Sequence, residues 1–210
     1  MASETSENSL GLQAHLLERA IRIGRMRFVR PLVRLFPAWV TPNHLSLLRL
    51  LCTGVLAALL WNGALRAAAG VYLLAVLTDA FDGELARLRG QITKFGTRFD
   101  PTVDKLLHAV IFVFFWRQEP LLFSLLLAAD GFLFMLGAAR ALMPHADPTQ
   151  LQVSVFGRWK MILQSLGSLV LFGNAITPAL ALRIGGESLL SIALLCAVLS
   201  GAVYLRRLRV

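Results

Sequence analysis

Residues 67–82 read AAAGVYLLAVLTDAFD. From Ala67 to Thr78 nothing is charged, and the run then ends on two carboxylates, Asp79 and Asp82. Carboxylates at membrane depth are costly and are kept only where they face a cavity, a partner or an ion. Working outward, further apolar runs occupy residues 45–63, 99–116, 120–140, 160–178 and 187–205. Each is near the ~20 residues that cross a hydrocarbon core, although the first third of 99–116 is polar. The expected fold is an all-α integral membrane protein with six transmembrane helices.

Composition agrees. The 210 residues are 57% hydrophobic and 16% charged, with a mean hydropathy of +0.67. A soluble domain carries roughly 25% charged residues. A water-soluble globule of this length could not hide so much apolar surface, and disordered chains are apolar-poor. Cys52 and Cys196 both lie in apolar runs and read as small hydrophobes rather than a disulfide pair.

Lys and Arg total 21 against 12 Asp and Glu, a net charge of +9. No basic stretch is interleaved with aromatics, so nucleic acid is not the expected partner. The basic residues instead flank the apolar runs, as they do beside anionic headgroups. On one side fall the N-terminal arginines, Arg87, Arg89, Lys94, Arg98, Arg158, Lys160, Arg206, Arg207 and Arg209. The other side has only Arg66, Arg117 and Arg183. Both termini are therefore expected in the cytoplasm.

Before the first run, residues 1–9 are polar and acidic and read as a disordered tail. No apolar segment with a small-residue cleavage site follows, so no cleavable leader is expected. Residues 10–38 carry Arg19, Arg22, Arg25, Arg27, Arg30 and Arg34 among Leu, Ile, Val and Phe. They read as an amphipathic helix lying on the membrane, broken near Pro31. Residues 39–210 then form the six-helix domain.

Four of the six Asp residues, Asp79, Asp82, Asp100 and Asp104, fall within 26 positions. Spacings of i,i+3 and i,i+4 put each pair on one helix face. Two antiparallel helices joined by a short loop can bring the faces together, and a cation between them would relieve the repulsion. Ligands that are all oxygen point to Mg²⁺ or Mn²⁺ rather than zinc. Gly83 and Gly96 share these faces and let backbone and ligand approach closely. Ala86 leaves room, and Arg87 beside a metal suits a phosphate clamped between them.

Written out, the pattern is Asp79-x-x-Asp82-Gly83-x-x-Ala86-Arg87-x8-Gly96-x-x-x-Asp100-x-x-x-Asp104. It resembles the signature of the CDP-alcohol phosphotransferase family, class I, with every fixed position filled. Pro42-Asn43-His44-Leu45-Ser46 is similar to the family's Pro-Asn-x-x-Thr/Ser motif. Gly157-Arg158-Trp159-Lys160 with Gln164 is similar to its Gly-Lys-x-Lys and Gln stretch, and Arg140 falls near a basic position closing the fourth span. The resemblance covers about residues 40–165.

The resemblance implies transfer of a phosphatidyl or phosphoalcohol group from a CDP-linked donor to a hydroxyl, with release of CMP. It implies Asp79, Asp82 and Asp100 as metal ligands, and Asp104 as ligand, catalytic base or both. It implies a CDP-lipid site lined by Asn43, Ser46, Gly83, Ala86, Arg87, Thr93 and Gly96, and a homodimer in the bacterial inner membrane with a cytoplasmic active site. Arg140, Arg158 and Lys160, beside an already metal-bound pyrophosphate, point to an anionic acceptor. Glycerol 3-phosphate is preferred over inositol phosphate and over free alcohols. The Leu48-Arg49 step also resembles phosphatidylglycerophosphate-forming members.

Plainer readings stand beside these. Asp100 before Pro101 is also an ordinary helix N-cap. His108, next on the Asp100 and Asp104 face, reads as a packed histidine. Asp130 could pair with Arg140 or face an oligomer interface. Arg89, Lys94 and Arg98 read as a solvated, lipid-facing set, and His44 as interfacial. Rival functions are a cation or proton transporter using the Asp cluster, a non-catalytic scaffold, and transfer from a soluble CDP-alcohol to diacylglycerol.

Overall fold

The computed structural model describes residues 29–37, 39–90, 94–141 and 155–208; the side chains of 94–98, 140–141 and 206–208 fall outside that description. One helical turn, α1 (Arg30–Val33), precedes six long helices. These are α2 (Pro42–Trp61), α3 (Leu65–Arg89), α4 (Lys94–Phe115), α5 (Pro120–Ala141), α6 (Val155–Ile176) and α7 (Leu180–Leu208). The expected all-α architecture is present. Among the described residues, three helices are long and apolar enough to cross a membrane: Pro42–Trp61, Pro120–Ala139 and Leu180–Leu205. Large apolar side chains stand exposed on them, Leu51 and Val55 on α2, Met135 on α5, Leu195 and Val198 on α7. Hydrocarbon is the surrounding that suits such faces. The expected surface helix over 10–38 lies largely among residues 1–28, outside the described part.

Local sequence explains the ends. Pro42 opens α2 at a position needing no N–H. His44 Nδ1 accepts the Thr41 N–H at 3.2 Å, so this histidine closes the helix end as well as facing outward. The α2–α3 turn passes through Gly63 at φ +70, and α3 stops at Gly90 at φ +64; both lie in the left-handed region that glycine tolerates. Helix α3 runs well past residue 82, so Asp79 and Asp82 sit inside a helix rather than at its end. Helix α4 begins at Lys94 and carries Pro101 inside it, so Asp100 is an interior residue and not an N-cap.

Helix packing closes a ring: α2 on α3, α3 on α6, α6 on α7, α7 on α5, α5 on α4, and α4 back on α2. The apolar core fills one end of it. Tyr72 and Phe172 lie 5.5 Å apart, Phe115 and Phe172 5.3 Å, with Leu56, Ile111 and Leu126 fully enclosed. Tyr72 precedes Asp79 on α3 by two turns, and Phe112 follows Asp104 on α4 by two turns, so the carboxylates occupy the opposite end. A second small core, Val33, Val40, Leu45 and Leu85, ties α1 and the turn after it to that end. Arg89 is not a lipid-facing residue there: its guanidinium donates to the carbonyls of Phe36, Pro37 and Val40.

Candidate active site

Arg49 organises the carboxylate end. It lies on α2, the helix against which both α3 and α4 pack, and its side chain is fully buried. Nη1 is 2.8 Å from Asp79 Oδ1, and Nη2 contacts Asp82 Oδ2. The i,i+3 spacing puts both carboxylates within one guanidinium's fork. On α4, Asp104 also feels the Arg49 charge, and Asp79 interacts electrostatically with both Asp100 and Asp104. The two Asp pairs thus meet in one neighbourhood. They do so across α2 and around an arginine, which differs from a direct meeting of two antiparallel helices.

Ser46, one turn before Arg49 and almost wholly buried, donates its hydroxyl to Asp100 Oδ1. Its Oγ also lies 3.2 Å from the Pro42 carbonyl. Ser46 and Asp100 therefore join the start of α2 to the start of α4. Asn43 is exposed in the first turn of α2, on the same end of the helix. His108 Nδ1 lies 3.0 Å from the Asp104 carbonyl oxygen and 3.5 Å from Asp104 Oδ1, with the ring against Phe112. Packed in this way, His108 limits the rotamers open to Asp104.

The cluster opens on one side. Asp82 and Asp104 are buried, while Asp79 is 39% exposed in its side chain and Arg87 53%. Arg87 Nε is 3.5 Å from Glu84 Oε2, a buried carboxylate turned away from the Asp79 face. A Cβ at Gly83 would lie 3.3 Å from Arg87 Nη2, so the glycine leaves that guanidinium its space. Ala86 is half-buried one turn beyond Asp82. Gly96 lies within α4, and Thr93 lies outside the described residues.

Among the described residues, no three His, Cys, Asp or Glu side chains are gathered closely enough to hold a metal ion. Asp79 and Asp82 turn onto Arg49 instead. The donor set still suits a hard cation. The buried Arg49 sets one positive charge against Asp79 and Asp82, and every candidate ligand atom is oxygen.

Of the basic residues expected at an acceptor site, Lys160 and Arg158 have described side chains. Lys160, in the second turn of α6, is buried and ion-paired with Asp130 of α5. Asp130 also meets Lys105 at 3.8 Å and Gln164 at 3.2 Å. The Arg140 side chain is outside the described part; Arg158 is partly buried near the start of α6. The sequence marks Arg49 only through the Leu48-Arg49 resemblance and gives Lys105 no role. The available signal was an arginine inside an apolar run, which demands a counter-ion, and a lysine directly after the fourth Asp.

A model of the CDP-alcohol phosphatidyltransferase family matches residues 39–203. The chain is 30% identical over 174 residues to the CDP-diacylglycerol–glycerol-3-phosphate 3-phosphatidyltransferase of Rickettsia typhi, covering 79% of this chain and 94% of that protein. It is 33% identical over 140 residues to the protein of the same description from Cereibacter sphaeroides, covering 64% and 63%. It is also 38% identical over 76 residues to a human cardiolipin synthase (CMP-forming), covering 36% and 25%.

Proposed function

The chain belongs to the CDP-alcohol phosphatidyltransferase family, and we propose that it moves the phosphatidyl group of CDP-diacylglycerol onto the hydroxyl of glycerol 3-phosphate, releasing CMP. It is a membrane enzyme of phospholipid biosynthesis. The observation that carries this reading is the buried Arg49 paired with Asp79 and Asp82, with Ser46 one turn earlier on the same helix bonded to Asp100.

In this reading Asp104 takes the proton of the acceptor hydroxyl. The freed oxygen attacks the phosphorus that carries diacylglycerol, and the bond from that phosphorus to the CMP oxygen breaks. CMP leaves with the electron pair, and Asp104 returns its proton to water or to product. Arg87, Gly83, Ala86 and Thr93 line the pyrophosphate and cytidine side, with Gly96 admitting backbone contact and Asn43 and Ser46 closing the site from α2. Asp79, Asp82, Asp100 and Asp104 would hold a divalent cation, with Mg²⁺ or Mn²⁺ the preferred ions. Bound there, the cation would neutralise charge on the diphosphate as CMP departs. Arg49 would keep two of these carboxylates oriented.

The membrane arrangement follows the same reading: six spans, both termini and the carboxylate end in the cytoplasm, and a homodimer. Arg140, Arg158 and Lys160 are assigned to the acceptor side. The test is the purified full chain in detergent with CDP-diacylglycerol, Mg²⁺ and an acceptor panel of glycerol 3-phosphate, inositol phosphate, inositol, serine and phosphatidylglycerol. CMP release with a phosphatidylglycerophosphate mass appearing only with glycerol 3-phosphate supports the proposal. CMP release with another acceptor reassigns the substrate. No CMP with any acceptor, from a folded sample, favours an ion pathway through the Asp cluster.

A further inference from the structure

Asp130 lies within α5, is 6% exposed, and has no part in the transfer chemistry above. Its two oxygens are engaged separately. Oδ2 accepts the Gln164 amide N–H at 3.2 Å. Oδ1 faces two ammonium groups, Lys160 Nζ in contact and Lys105 Nζ at 3.8 Å. Three helices, α4, α5 and α6, therefore meet on one carboxylate whose orientation Gln164 fixes.

Two ammonium groups against one carboxylate leave a positive charge over. That excess adjoins the transfer site, because Lys105 follows Asp104 in the chain and its charge acts on the Asp104 carboxylate. The two lysines also interact with each other. Lys105 keeps 24% of its side chain exposed, whereas Lys160 keeps 2%. Each ammonium carries three donors, so a contact to Asp130 leaves others for a further anion.

We propose that Asp130 is a positioning residue for the acceptor: it holds the Lys105 and Lys160 ammonium groups together beside Asp104, as a cationic wall that receives the acceptor's phosphate. This rests on the reading that the acceptor is a phosphorylated alcohol, and it names what selects that class. Without Asp130 the two like charges repel, and Lys160 becomes a buried cation with its counter-ion removed. The wall then loses its geometry while the Asp cluster on α3 is untouched.

The experiment measures kcat, KM for glycerol 3-phosphate and KM for CDP-diacylglycerol, with thermal denaturation, on the full chain in detergent. Asp130→Asn is expected to raise the glycerol 3-phosphate KM on the order of tenfold or more, leaving the CDP-diacylglycerol KM within about twofold; Asp130→Glu should restore most of it. Lys105→Gln, partly exposed and sparing the Asp130–Lys160 pair, should raise the same KM and tests the wall if the Asp130 variants do not fold. An unchanged or lowered glycerol 3-phosphate KM in a folded Asp130→Asn, or an unchanged one in Lys105→Gln, overturns the proposal. So does a parallel loss in kcat and both KM values, which is the mark of a merely structural residue. If the unaltered enzyme uses only uncharged acceptors, the functional reading falls instead, and the acceptor panel shows that before any variant is made.

Discussion

Arg49 Nη1 lies 2.8 Å from Asp79 Oδ1, at the centre of a cluster in which the guanidinium also holds Asp82. The arginine is enclosed by α2, α3 and α4, so its charge cannot be replaced by water. Replacing it with leucine leaves two carboxylates without their counter-ion, at a cost of about 3–5 kcal/mol. Arg49→Leu is expected to lower the thermal midpoint sharply and abolish CMP release. Arg49→Lys keeps the charge but not the fork that reaches two carboxylates. It should unfold near the unaltered protein while turnover drops about tenfold or more. Equal turnover in Arg49→Lys and the unaltered enzyme would show that the bidentate geometry is irrelevant to the reaction.

Asp104 is buried, faces the Arg49 charge and is packed against His108. Asp104→Asn keeps the shape and removes the base. General-base catalysis contributes roughly 10²–10⁴-fold, and kcat is expected to fall by an amount in that range. CDP-diacylglycerol binding, measured separately by a lipid-binding assay, should change only a few-fold. A variant that turns over normally would remove Asp104 from the proton-transfer role.

Much of this was readable from residue order, and the reasons for the exceptions are physical. Apolar runs marked all six long helices, and among the described residues three of these are long and apolar enough to cross a membrane. Their ends were misplaced where polar residues remain helical. Helix α3 continues through the charged stretch to Arg89, and α4 absorbs Pro101. The Asp spacing picked out the candidate carboxylates. It could not reveal that α2 stands between the two Asp pairs, since spacing along one helix carries no information about a third. Arg49 and the Asp130 network are long-range pairings of the same kind. Arg89 misled because its partners are backbone carbonyls, which no side-chain pattern announces.

Four carboxylates are the proposed ligands and one guanidinium, Arg49, pairs with two of them, which leaves negative charge for a divalent cation to neutralise. Chelation with EDTA is expected to stop CMP release, and excess Mg²⁺ or Mn²⁺ to restore it. Zinc should restore it poorly, because the candidate ligands are all oxygen. Turnover that survives exhaustive chelation would rule out the metal role given to Asp79, Asp82 and Asp100.

Helices α6 and α7 cross so closely that glycine is required at the contact. A Cβ at Gly186 would lie 2.7 Å from Leu171 Cδ2 and 3.2 Å from the Gly167 carbonyl oxygen, while one at Gly54 on α2 meets nothing within 4 Å. The leucine tip can move, but the Gly167 backbone cannot without parting the helices. Overpacking of this kind costs about 1–3 kcal/mol, and in a chain of this length each kcal/mol lowers the melting midpoint by about 2–4 °C. Gly186→Ala should therefore melt several degrees below the unaltered protein, and Gly54→Ala should melt at or slightly above it, since alanine favours helix. Because α6 also carries Lys160 and Gln164, Gly186→Ala should raise the glycerol 3-phosphate KM as the helix shifts, which Gly54→Ala should not do. Equal melting midpoints for the two alanine variants would mean that the α6–α7 crossing yields freely and does not hold the acceptor wall in place.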